Sequence, residues 1–146
     1  MLKINYKLTG KGWAKCEVQA DNKIVNISAS YISDALGMLV QAVLLVLADT
    51  KVIKTSFVEE PGEYRWIFTP TDNGVQVQIL EFDDVWTHDP DSLGKEIFIY
   101  QSTKEELKKA MVDCLDQILK DMTLEEYNKK WGLHEFPSDL HNQLKK

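Results

Sequence analysis

Tyr64-Arg65-Trp66-Ile67-Phe68-Thr69-Pro70-Thr71-Asp72-Asn73-Gly74-Val75-Gln76-Val77-Gln78-Ile79-Leu80 is the stretch that decides the fold class. Before the turn, Tyr64, Trp66 and Phe68 alternate with Arg65, Ile67 and Thr69. After it, Val75, Val77 and Ile79 alternate with Gln76, Gln78 and Leu80. A period of two is the mark of a strand with two unlike faces. Thr71-Asp72-Asn73-Gly74 supplies the hairpin turn, because Asn and Gly accept the backbone angles that tight reversals need. Two strands joined so closely must run antiparallel.

Further strands appear on either side. Residues 52–58 read as a strand before the hairpin, and residues 97–100 as a short one after it. At the start of the chain, Leu2, Ile4, Tyr6 and Leu8 alternate with Lys3, Asn5 and Lys7, and Ala14, Cys16 and Val18 with Lys15, Glu17 and Gln19. Turns at Thr9-Gly10-Lys11-Gly12 and Asp21-Asn22 separate these strands and lead into a third at 24–27.

Two helices are legible between and after the strands. Residues 34 to about 49 are nearly all apolar, with Ser30 or Ser33 placed to cap the start. A helix apolar on every side must be covered on several sides. Its apolar run is only 14 residues long, bracketed by Asp34 and Asp49. A membrane span needs about 20, so the segment reads as a buried helix. Its cover is expected from a second helix, in which Leu107, Ala110, Met111, Cys114, Leu115, Ile118, Leu119 and Met122 recur at helical spacing. Ser102-x-x-Glu105 reads as the capping box of that helix. Thr123-x-x-Glu126 opens a short helix that runs through Trp131 and stops at Gly132. Residues 137–146 read as a polar helical tail that frays.

The chain is therefore expected to form a single α+β domain over residues 1–146. Its antiparallel sheet would have about seven strands in the order βββ-α-ββββ-α-α, with helices packed on one face. Met1-Leu2-Lys3-Ile4-Asn5-Tyr6 has no apolar run leading to a cleavage site, so no secretory signal is expected. Two cysteines within apolar patterns suit a reducing cytoplasm better than a disulfide framework.

Charge is unevenly spread. Between Glu59 and Glu96 ten acidic residues face two basic ones, a local net of −8. The whole chain carries −6, so the remainder carries +2. Phosphates would be repelled by such a middle, which argues against nucleic acid as a partner and permits a basic protein.

Motifs that carry chemistry are missing. In the loop after residue 82, Asp83, Asp84, His88, Asp89 and Asp91 offer oxygen and imidazole ligands that a metal-dependent hydrolase would need. Counted from Asp89, however, the spacing lacks the glycine and the final acid of a calcium loop, since its twelfth position is Tyr100. Zinc spacing is also absent, and no cofactor is expected. Cys16 and Cys114 lie on apolar faces, where thiols are packing residues. Glu59, Glu60, Glu63 and Glu81 could be drawn on for an acid–base pair, but Glu59-Glu60-Pro61-Gly62-Glu63 reads as an exposed turn. Gly10-Lys11-Gly12 precedes a strand and so cannot cradle phosphate as a helix start does.

What remains is a surface: aromatic residues beside acidic ones, as protein-binding patches have. Trp86 sits within the acidic loop. Tyr64, Trp66 and Phe68 would add three rings if their face turned away from the core.

In size, acidity and element order the whole chain resembles the immunity proteins that bacteria make against secreted toxins. Many of those toxins are basic nucleases, and their antidotes block the nucleic-acid site with acidic surfaces. The resemblance implies a non-enzymatic inhibitor that occludes a basic partner. With no shared motif, no residue is carried over from the family. The acidic middle itself points to Glu59, Glu60, Glu63, Asp83, Asp84, Trp86, His88, Asp89 and Asp91 as candidate contacts. A small metal-dependent hydrolase, and a structural subunit whose apolar helix completes a homodimer, are the alternatives.

Overall fold

The deciding hairpin forms as read: β5 (Glu63–Thr71) and β6 (Gly74–Phe82) pair antiparallel in an unbroken register from Glu63 opposite Phe82 to Thr71 opposite Gly74. The computed structural model describes all 146 residues. β4 (Ile53–Val58) flanks β5, and β7 (Lys95–Ser102) flanks β6, giving a four-stranded sheet in the order β4-β5-β6-β7. β1 (Lys3–Gly10), β2 (Trp13–Ala20) and β3 (Lys23–Ser30) make a separate three-stranded meander. All pairings are antiparallel. The architecture is α+β, and the seven strands divide between two sheets.

Four helices complete the chain: α1 (Ala35–Ala48), α2 (Lys104–Asp121), α3 (Leu124–Trp131) and α4 (Ser138–Lys145). One hydrophobic core joins the inner faces of both sheets to the helices. Ile4, Tyr6, Cys16, Val18 and Ile27 enter it from the meander, and Phe57, Trp66, Phe68, Val77, Ile79 and Phe98 from the larger sheet. Leu36, Val40 and Val43 of α1 and Leu107, Met111 and Leu115 of α2 fill the space between. Trp66 and Phe68 are fully buried, and their rings stack with centroids 6.0 Å apart. On that strand face only Tyr64, which is partly buried, keeps any aromatic surface. The apolar residues of the face are drawn inward because burying a large ring stabilises far more than leaving it wet.

Three local expectations are corrected. α1 is capped by Asp34, whose carboxylate accepts from the Gly37 N–H at 3.1 Å, and not by Ser30 or Ser33. Ser102 ends β7, so the α2 cap falls one residue later, where the Thr103 hydroxyl accepts from the Glu106 N–H at 3.0 Å. The segment 137–146 is helical over Ser138–Lys145 and packs on the rest of the chain. α4 buries Leu144 and His141, while His141 Nε2 lies 2.9 Å from Asp116 and Lys145 3.1 Å from the same carboxylate. By contrast, the box between Thr123 and Glu126 forms with both its hydrogen bonds.

α1 is covered on most sides but not on all. Met38, Gln41, Leu45 and Ala48 face outward, a stripe without a charge. No helix of the chain is long and apolar enough to cross a membrane.

Candidate partner-binding surface

The turn between β4 and β5 and the long connection between β6 and β7 meet at one end of the larger sheet. Register brings them together: Glu63 pairs with Phe82, so residues 59–62 lie beside Asp83 and Asp84. The Glu59 N–H donates to the Gly62 carbonyl at 2.9 Å and closes the turn. The Val85 N–H then donates to the Pro61 carbonyl at 2.7 Å and ties the second segment to the first. Asp84 accepts from the Trp86 N–H at 2.8 Å, the local turn that short acidic side chains form with a backbone N–H two residues on. Its carbonyl accepts from the Thr87 hydroxyl at 3.1 Å. The Trp86 ring is left 64% exposed.

Arg65 holds the rest of that connection against the outer face of the sheet. Its guanidinium donates to both carboxylate oxygens of Glu63, at 3.0 and 3.1 Å, and to Asp91 at 2.7 Å. It also donates to the Asp89 carbonyl at 2.9 Å. The same group lies 4.1 Å above the Phe82 ring, a cation–π contact. Hydrogen bonding to Glu63 outweighs the burial of Arg65 and raises its pKa, so the charge is secure. Lys54 donates to the other oxygen of Asp91, and this bond, helped by Arg65, holds that carboxyl below its ordinary range. Beneath the connection, Ile67, Leu80 and Phe82 form a small apolar cluster. Gly94 sits so close that a Cβ there would lie 2.6 Å from the Phe82 ring.

The candidate residues therefore fall into two groups. Glu63 is not part of an exposed turn: it is 6% exposed, paired with Arg65 and bonded by the Ser56 hydroxyl. Asp91 is likewise engaged internally. Neither is free to meet a partner, because their charge is already neutralised within the chain. Glu59, Glu60, Asp83 and Asp84 are brought together at the sheet end and make no ion pair. Asp89 and His88 lie further along the connection. Asp89 is half-buried with only its carbonyl in use, and His88 is exposed with a backbone φ of 52°. Burial, with Glu59 and Glu81 nearby, pushes the Tyr64 phenol up to about 12.

No three His, Cys, Asp or Glu side chains converge on one point. The carboxylates after residue 82 are divided among a turn, an ion pair and solvent. Burial pushes both thiols up, Cys16 well above its usual value and Cys114 to about 12, so neither is a thiolate near neutrality. Arg65 is the residue organising this surface that the sequence did not single out. A lone arginine in an acidic stretch was the available signal. No family model matches the chain, and no curated protein or solved structure matches it significantly.

Proposed function

We propose that this chain is a non-enzymatic protein-binding domain, an immunity-type inhibitor that occludes a basic partner protein with the acidic end of its larger sheet. One observation carries the reading. Two segments distant in sequence are bonded together so that Glu59, Glu60, Asp83 and Asp84 stay unpaired around an exposed Trp86. On their other side Arg65 clips the connection to the sheet. Pre-set carboxylates steer and orient a basic surface, and a large ring with few torsions supplies a central anchor at small entropic cost.

Binding kinetics against the partner, once isolated, test this. Replacing Asp83 and Asp84 by lysine is expected to slow association and flatten its salt dependence, since rim charges act through steering. Trp86→Ala is expected to speed dissociation, weakening binding by about 2 kcal/mol. Equal rates for the wild type and both variants would remove this end from the interface.

A further inference from the structure

β4 is a terminal strand. It pairs with β5 alone, and no loop backbone bonds to its outer side. An unpartnered edge is a row of donors and acceptors ready for another strand. An open groove of about 570 Å³ lies there. Lys54 and Ser56 of β4 and Arg65 of β5 line it from the outer face and Thr55 from the inner face, so it runs from the outer face over the edge. Met38 of α1 makes one wall and Pro90 with Asp91 the other. The Thr55 hydroxyl has no hydrogen-bond partner within the chain, although the residue is only 6% exposed. A buried hydroxyl left without a partner is costly. Val52 and Met38, 50% and 43% exposed, flank the groove with apolar surface.

The order of residues along the strand selects the occupant. Lys51 stands just before β4 and Glu59 just after it, and neither makes an ion pair within the chain. A second copy laid antiparallel, with Thr55 opposite its own counterpart, sets Lys51 opposite Glu59. The same register sets Val52 opposite Val58, Ile53 opposite Phe57 and Lys54 opposite Ser56. Opposite charges, apolar pairs and a threonine pair that can share a hydrogen bond are the favourable cross-strand combinations. Two-fold symmetry repeats each of them. We infer that the β4 edge is a homodimer seam, in which Glu59 is paired across the two-fold and Glu60, Asp83 and Asp84 are left to the acidic end. The seam joins two four-stranded sheets into one antiparallel sheet of eight, closes the groove over Met38 and gives the Thr55 hydroxyl its partner.

Sedimentation equilibrium from roughly micromolar to millimolar protein tests this. Lys51→Glu and Glu59→Lys are each expected to raise the dimer dissociation constant about tenfold, since two symmetry-related pairs turn repulsive. The double variant restores the pairing with the signs exchanged and should return to the wild-type constant. Both sites lie at the ends of the strand, and an unchanged thermal melt confirms that each variant folds. A chain that stays monomeric throughout, whether its edge takes a strand from another protein or takes nothing, overturns the inference. So does a dimer indifferent to the two reversals, or one that the double variant fails to restore.

Discussion

Arg65 shows how a single residue redistributes the meaning of its neighbours. Glu63 and Asp91 look equivalent to Glu60 and Asp84 in the sequence, yet the guanidinium converts the first two into structure and leaves the others to solvent. Removing it would strand Glu63 as a buried, uncompensated charge. Arg65→Met should therefore cost about 3–5 kcal/mol in urea unfolding. Lys54→Met, which breaks a half-exposed pair, should cost no more than about 1 kcal/mol. Similar losses at both sites would mean that Arg65 is not the clip. Trp86→Ala should shift stability by no more than about 0.5 kcal/mol, as exposed substitutions do. No alternation or spacing announces a salt bridge between β5 and a loop 26 residues on. That partnership exists only once the hairpin has formed and the connection has folded back over Phe82.

At the scale of elements, the readable features were those written locally. The alternation around residues 71–74, the helical spacing from Leu107 to Ile118 and the box at Thr123 all depend on neighbours a few residues apart. The start of α2 was misplaced because its favoured acid is diverted. Glu106 accepts from the Tyr100 hydroxyl and the Leu2 N–H, both at 2.8 Å, tying α2 to two strands. Burial raises the pKa of this carboxyl. Hydrogen bonds from Tyr100, Leu2 and Ser102 outweigh that effect and leave the pKa below its ordinary value. A carboxyl depressed in the folded state stabilises the fold above its unfolded pKa, about 4.3, and that contribution fades as pH falls through the lower, folded value. Glu106→Gln should thus be less stable than the wild type at pH 7, with the gap narrowing below about pH 4. A gap that does not vary with pH would contradict this.

α4 is the other lesson at this scale. Its polar composition suggested a loose tail, but Phe136, Leu140 and Leu144 recur every four residues, and the first and last are buried. α4 packs against α1 and α2, and Phe136 meets the Tyr127 ring of α3 edge-on, surfaces that exist only once the chain has folded. Leu144→Ala should cost about 2 kcal/mol or more, the lower range for a leucine cavity. A loss under about 0.5 kcal/mol in a calorimetric scan would return the segment to a tail.

For the whole molecule, charge and topology act together. The span from Glu59 to Glu96 carries a net −8. Folding spends Glu63 and Asp91 within the larger sheet and gathers four other carboxylates beside Trp86 at one end. The acidity was legible as a number, and its sorting into internal and outward charges was not, because that depends on which strands become neighbours. Site-specific photo-crosslinking in the native cell tests the central claim most directly. A crosslinking residue is placed at position 86, and a second at Leu133, which is as exposed but lies in the connection from α3 to α4. A single basic protein captured from position 86 and not from 133 is the predicted result. No adduct at 86, or the same adducts from both positions, would contradict a partner-binding acidic end.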